Sequence, residues 1–314
     1  MTDCKKKCPC CGSAEFVLLF DEMLDYEYRV PICPSLIECC SCGLIRHDKI
    51  PDMRELNRFY PKDYLVHIES FRVGSNMLFE MLKKILYKLR ANKIHKILGS
   101  QGSVLDVGCA NGAFLRSLKL YGQYELHGLD IKNTGIDFKE YGIIFREGVL
   151  EELEYPKNHF DAVVLDNLLE HVPEPKIFMD RVFSILKPGG YVFGTTPNFE
   201  SLDRYLFGRY WGGFHMPRHI SVFNPQNLRI LLDASGFADI RFPITANAGN
   251  WAVSIQNYLR RSSDGKQSSR RGLYFPIIGM LLGPVALVAS IFRINGVMDF
   301  TCRKPNELAN MSYK

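Results

Sequence analysis

Ser103–Val107, Glu125–Leu129, Ile143–Arg146, Ala162–Leu165 and Tyr191–Thr195 are five short apolar runs, and helical periodicity fills intervals such as Gly112–Tyr121 and Pro175–Leu186. This alternation restricts the fold more than any other feature of the chain. Strands that are apolar throughout need cover on both faces, and parallel neighbours need long crossovers, which the helical stretches supply. The expected class is α/β, a doubly wound, Rossmann-like and mostly parallel sheet. A helix over residues 226–237 stopping at Gly236, then strands at Ile240–Ile244 and Val297–Cys302, extend the pattern. A length of 314 residues leaves room for one such domain and a small appendage. Hydrophobic residues at 46% against 23% charged exclude wholesale disorder, and a net charge of +5 falls short of the basic surface of a dedicated nucleic-acid binder.

The appendage is marked by cysteines. Eight of the ten precede residue 43, and Cys8-Pro9-Cys10-Cys11-Gly12 and Cys39-Cys40-Ser41-Cys42-Gly43 form two CxxC knuckles 27 residues apart. Cys8, Cys11, Cys39 and Cys42 have the spacing of a tetrahedral zinc site, and four sulfur ligands leave no open position, so the zinc would be structural. The register stays open, because Cys10 or Cys40 could replace a neighbour; free or oxidised thiols are the bland alternative. Closely paired cysteines after a polar, lysine-rich Met1–Lys7 point to a cytoplasmic, reducing compartment. The expected divisions are a zinc-ribbon-like module at 1–50 and connecting helices at 51–100. The main domain follows at 101–245 and 296–305, with a hydrophobic insertion at 246–295. Within the connector, Met77–Leu98 reads as an amphipathic helix whose Lys83, Lys84, Lys88, Arg90, Lys93 and Lys96 form a solvated basic face.

Val104-Leu105-Asp106-Val107-Gly108-Cys109-Ala110-Asn111-Gly112 is a strand entering a glycine-bracketed turn, and Asp130 lies 18 residues past Gly112, where a doubly wound fold presents an acid to ribose hydroxyls. The turn has GxxxG spacing instead of the GxGxxG that suits a pyrophosphate, which favours a cofactor without phosphates over NAD.

With Phe160-Asp161-Ala162-Val163-Val164, Glu170-His171-Val172 and Leu186-Lys187-Pro188-Gly189-Gly190, these residues resemble class I S-adenosylmethionine (SAM)-dependent methyltransferases over roughly residues 100–200. The resemblance implies that Asp106, Gly108 and Gly112, with Cys109 in the same turn, surround the methionine part. Asp130, with Ile131 beside it, would hold the ribose; Val149 and Leu150 would border the adenine, and Asp166 and Asn167 the sulfonium side. Gly148-Val149-Leu150-Glu151 departs from the family's usual Gly-Asp-Ala-Glu, so an acid near the adenine amine is missing. Cys39 to Leu44, Glu55-Leu56 and Phe59-Tyr60-Pro61-Lys62-Asp63-Tyr64 are similar to a subgroup with a cysteine knuckle ahead of the methyltransferase, which includes sugar methyltransferases and enzymes of bacterial surface polysaccharides.

Acceptor chemistry is expected in the loop from Tyr210 to His219, where His215 and His219, with His171, Tyr60 and Tyr64, are candidates to position the acceptor or take its proton. Pro217 argues against a helical metal pair at His215 and His219. Leu273–Phe292 is twenty residues without a charge, divided by Gly283-Pro284, and is expected to form a shallow re-entrant hairpin or an interfacial helix. A buried helical pair or a dimer contact is the bland alternative. The function expected is methylation of a glycan or lipid-linked intermediate at the cytoplasmic face of a membrane. The alternatives are a zinc-finger RNA methyltransferase, against which the module's lack of a basic and aromatic stripe argues, and a non-catalytic binding protein.

Overall fold

The computed structural model describes residues 7–60, 77–133, 135–245, 247–261 and 274–306. The strands are β1 (Phe16–Phe20), β2 (Leu36–Cys39), β3 (Ile45–His47), β4 (Gln101–Val107), β5 (Gln123–Asp130), β6 (Ile143–Glu147), β7 (Phe160–Asp166), β8 (Leu186–Pro197), β9 (Ser221–Val222), β10 (Ala238–Arg241) and β11 (Val297–Arg303). The α-helices are α1 (Met53–Arg58), α2 (Met77–Leu98), α3 (Ala113–Leu118), α4 (Pro175–Ile185), α5 (Leu202–Phe207), α6 (Pro225–Ala234), α7 (Gly249–Arg260) and α8 (Tyr274–Ile291).

The main sheet runs β10-β11-β8-β7-β4-β5-β6, parallel except that β11 is antiparallel to both β8 and β10. Strand alternation sorts the core into two layers. Leu105, Val163 and Leu165 face Phe178, Met179 and Val182 of α4, while Val104, Ala162 and Val164 face Ala91 and Ile94 of α2 and Leu115 of α3. Chain order reverses at β4, whose neighbours are β5 on one side and β7 on the other. A doubly wound sheet opens its ligand crevice at the carboxyl end of such a strand.

The sheet order is that of the expected doubly wound fold, and three local expectations are corrected. β10 stops at Arg241 instead of reaching Ile244, because Pro243 has no N–H to give the ladder. Gly283-Pro284 does not divide a hairpin: α8 is one helix with Pro284 inside it. A proline costs a helix interior about 3 kcal/mol. That loss is offset on its far side, where Ala286, Ala289 and Ser290 are buried and the Ser290 hydroxyl donates 2.5 Å to the Thr245 carbonyl. In α2, Arg90 leaves the lysine-rich face and is half-buried in the site described below.

The cysteine module does not stand apart. Its sheet runs β1-β2-β3-β9, so Ser221–Val222 provide its fourth strand. Met23, Leu36 and Ile45 share a core with Trp211, Phe214, Met216 and Val222. The expected insertion is likewise joined to the main domain through α7: Val253 packs on Gly212, and Ser254 Oγ accepts 2.8 Å from the Gly212 amide.

Candidate active site

At the carboxyl end of β4 the chain turns through Gly108 (φ 78°), Ala110 (φ 48°) and Gly112 (φ 69°). A Cβ on Gly112 would sit 2.9 Å from the Phe138 ring, so only glycine fits. The amides of Gly108 and Cys109 donate to the Leu129 carbonyl at 2.7 and 3.1 Å. Ala110 N–H donates 2.8 Å to Asp130 Oδ2. The turn and Asp130 are thus one unit, and the other carboxylate oxygen of Asp130 accepts 3.4 Å from the Lys132 amide. Gly148 N–H donates 2.9 Å to the Asp130 carbonyl, which brings Val149 alongside. Ile131 is 46% exposed at the rim. Two expected residues turn away: the Cys109 side chain is buried against Gly128, and Leu150 is 1% exposed in the core, so each contributes backbone alone.

Asp106 is 4% exposed, and no described group donates a hydrogen bond to its carboxylate. Burial first, then the charge of Asp166, pushes its proton affinity well above the usual carboxylate range. Asp166 is ion-paired with Arg90, whose guanidinium also bonds Thr195 Oγ1. Thr195 Oγ1 donates in turn 3.0 Å to Asp299. Burial opposes the charge on Arg90, but Asp166, Asp299 and Asp106 outweigh it. Asn167 (φ 51°) donates 2.9 Å from its amide to Asp166. Carboxyl groups from β4, β7 and β11 around one guanidinium suit a ligand bearing ammonium and sulfonium charges, and would repel a pyrophosphate. The donor set therefore fits SAM. Arg90 was missed in the sequence because it sits among lysines; its place four residues before the buried Ile94 was the available signal.

Beside this crevice lies a group of histidines whose protons are assigned by their partners. A carbonyl only accepts, so the 3.0 Å contact from His171 Nδ1 to the Arg218 carbonyl places the proton on Nδ1 and leaves the lone pair on Nε2. The Tyr60 hydroxyl lies 3.0 Å from the same Nδ1. His219 Nδ1–H likewise donates 2.8 Å to the Gly213 carbonyl. His215 accepts 3.0 Å from Arg218 Nε at Nε2 and donates 2.5 Å from Nδ1 to Glu27, so both its nitrogens are engaged and it is poorly placed to act as a base. Burial lowers His171 to about 4 and carries His219 down as well, keeping both neutral. Glu170, fully buried, is pushed up to about 8 by burial; its Oε2 accepts 2.9 Å from Thr196 Oγ1, and Oε1 has no hydrogen-bond partner among the described residues. Tyr64 lies outside the described residues.

Cys8, Cys11, Cys39 and Cys42 present sulfurs within 4.8 Å of one another, with Cys8 to Cys42 and Cys11 to Cys39 both 3.6 Å. Thiolates about 2.3 Å from a tetrahedral zinc are about 3.8 Å apart, so the set fits that ion. The knuckles are alike: Gly12 (φ 75°) and Gly43 (φ 70°) each donate 2.9 Å to the carbonyl of the cysteine four residues earlier. Cys10 is buried beside the set, while Cys33 and Cys40 are exposed. Glu170, His171 and His219, and separately Glu125, His127 and His159, also bring donor atoms within 4.8 Å, but only the cysteines form an all-thiolate set among the described residues.

A family model described as a methyltransferase domain matches residues 81–241, which take in most of α2, the glycine turn, Asp130, His171 and His219. The chain belongs to that methyltransferase family. It is 28% identical over 198 residues to the mitochondrial ubiquinone biosynthesis O-methyltransferase of Dictyostelium discoideum, covering 53% of this chain and 61% of that one. To the ubiquinone biosynthesis O-methyltransferase of Xylella fastidiosa (strain M23) it is 34% identical over 128 residues, covering 36% of this chain and 49% of the other. This methyltransferase thus spans about half to three-fifths of the length of these curated relatives. The 1,6-didemethyltoxoflavin-N1-methyltransferase of Burkholderia thailandensis, solved with S-adenosylhomocysteine, shares the fold at TM-score 0.50 and 15% identity, covering 85% of this chain and 97% of that one.

Proposed function

We propose that this methyltransferase acts on a hydroxyl oxygen of a glycan or lipid-linked intermediate, with His171 as the general base. The observation that carries the reading is the His171 tautomer: Nδ1–H is held by the Arg218 carbonyl, so the ring's lone pair is on Nε2. Asp106, Gly108 and Gly112 take the methionine part, Asp130 the ribose with Ile131 beside it, Val149 the adenine, and Asp166 and Asn167 the sulfonium side. When bound, SAM supplies a methyl group made electrophilic by its positively charged sulfur. His171 Nε2 would accept the hydroxyl proton as the acceptor oxygen takes up that methyl group, the methyl–sulfur bond being the one broken, with its electron pair left on sulfur. Glu170, largely neutral near pH 7, spares the developing imidazolium no charge but leaves its orphan oxygen toward His219 at 3.9 Å. Cys8, Cys11, Cys39 and Cys42 hold a structural zinc.

A lipid-linked acceptor is supported by the outer face of α8, where Leu281, Val285, Val288 and Phe292 are exposed at helical spacing beside Ile244 and Leu259. Among the described residues no helix is long and apolar enough to cross a membrane, so the contact proposed is interfacial. The test is to feed methyl-labelled SAM to a lysate and fractionate it into lipid extract, soluble glycan, RNA and protein. Label in the lipid or glycan fraction is the expected result; label in RNA, or none, overturns the acceptor assignment. Liposome flotation of wild type and of Leu281→Asp/Val288→Asp tests the contact, which predicts flotation lost in the variant.

A further inference from the structure

We infer that Arg218 is the positioning residue of the acceptor site, and that Asp25, from the segment between β1 and β2, holds it there. The inference rests on the reading of His171 above. Arg218 is fully buried, with every guanidinium donor engaged. Its Nε donates 3.0 Å to His215. One terminal nitrogen donates to Asp25 Oδ2 at 3.0 Å and to the Phe59 carbonyl at 3.2 Å. The other donates to Asp25 Oδ1 at 3.1 Å and to the Met216 carbonyl at 2.8 Å. The Tyr28 ring covers the guanidinium face at 4.7 Å. Asp25 is cradled in turn by the amides of Glu27 at 2.9 Å, Tyr28 at 3.0 Å and Val30 at 3.3 Å. No freedom is left in the fork, so the backbone of Arg218 is fixed with it.

That backbone carries the consequence. The Arg218 carbonyl is the group 3.0 Å from His171 Nδ1, and the Tyr60 hydroxyl stands 3.0 Å from the same nitrogen. If the carbonyl shifts, Nδ1 is free to accept from Tyr60, the ring proton moves to Nε2, and Nε2 no longer offers a lone pair to take a proton. A buried ion pair is costly to form and can often be replaced by apolar residues without loss of stability. A role in setting a neighbour's tautomer explains why charge is placed here, side chains 0% and 1% exposed and 193 residues apart in sequence. The cysteine-bearing segment thereby becomes part of the active site without touching substrate.

The test uses the full-length, zinc-replete enzyme labelled with 15N-histidine, the His171 signals being identified by their loss in His171→Asn. The wild type should show Nδ1–H and an unprotonated Nε2. In Arg218→Lys and in Asp25→Asn, the Nε2–H form should become populated. Methyl transfer to the labelled lysate fraction should fall by about 10²-fold, with SAM affinity unchanged and partial recovery in Asp25→Glu. An Nε2–H wild type overturns the inference, and needs no variant to fold. So do folded variants with the wild-type tautomer and rate. A tautomer that shifts while the rate does not keeps the positioning role and overturns His171 as the base.

Discussion

The cofactor half of the site and the acceptor half are built by opposite means. Asp106, the glycine turn and Asp130 fall within one strand-turn-helix-strand unit, and the backbone binds them: the turn's amides donate to Leu129 and Asp130. The acceptor half gathers Asp25 and Glu27, Tyr60, Glu170 and His171, and the loop from Gly213 to His219, joined by buried side chains across long stretches of sequence. A site made of local backbone tolerates change elsewhere in the chain. One made of long-range charged contacts depends on every segment that contributes, the cysteine module included.

The largest expected effect follows from that dependence. Cys8→Ser/Cys11→Ser, or chelation of the wild type, removes a binding energy that for structural zinc is about 10–16 kcal/mol. Transfer should be abolished as β2 and β3 loosen from β9, while SAM binding, measured calorimetrically, persists. Loss of both together would show that the halves are not separable, and wild type without zinc by elemental analysis would remove the metal from the account.

Next in size is His171→Ala, expected to slow transfer by about 10²–10⁴-fold while leaving SAM affinity in place. Because burial holds His171 at about 4, the wild-type rate should stay level as pH falls through the range where an exposed histidine would protonate. A break near the usual histidine value would mean that another group is the base.

Glu170 gives a smaller, pH-dependent effect. Its folded value of about 8 lies above the ordinary carboxyl value of 4.5, so the folded state retains a proton that the unfolded state releases. Its contribution to stability is present in full below the unfolded value and is lost as pH rises through the folded one. Wild-type Tm should therefore decline between about pH 4.5 and pH 8, by an amount equivalent to a few kcal/mol, whereas Glu170→Gln, neutral throughout, should flatten the curve. Parallel curves for the two proteins would mean Glu170 is ionised in the folded state.

The same division governs what the chain discloses before it is folded. The strands of the main sheet, the glycine turn, Asp130 and the four cysteines are legible because period and spacing encode them locally. The pairing of β3 with β9 is not, since a two-residue strand such as Ser221–Val222 has no period to read. Arg90 was hidden because charge on a helix reads as solvent-facing until its ion pair with Asp166 is known. Arg218 and Asp25 were invisible for the same reason, and so was the engagement of both His215 nitrogens, whose partners Glu27 and Arg218 come from distant parts of the sequence. The continuity of α8 through Pro284 depended on what Ala286, Ala289 and Ser290 pack against, which only the fold supplies.

The cofactor half can be tested most directly by titrating SAM into wild type and Asp130→Ala in a calorimeter. Removing a carboxylate that both receives the Ala110 amide and faces the ribose position should weaken binding by about 1–3 kcal/mol, roughly 5- to 150-fold. NAD, whose pyrophosphate would meet Asp106, Asp130 and Asp166, should bind neither protein measurably. Equal SAM affinity in the two proteins, or NAD binding the wild type more tightly than SAM, would contradict the account.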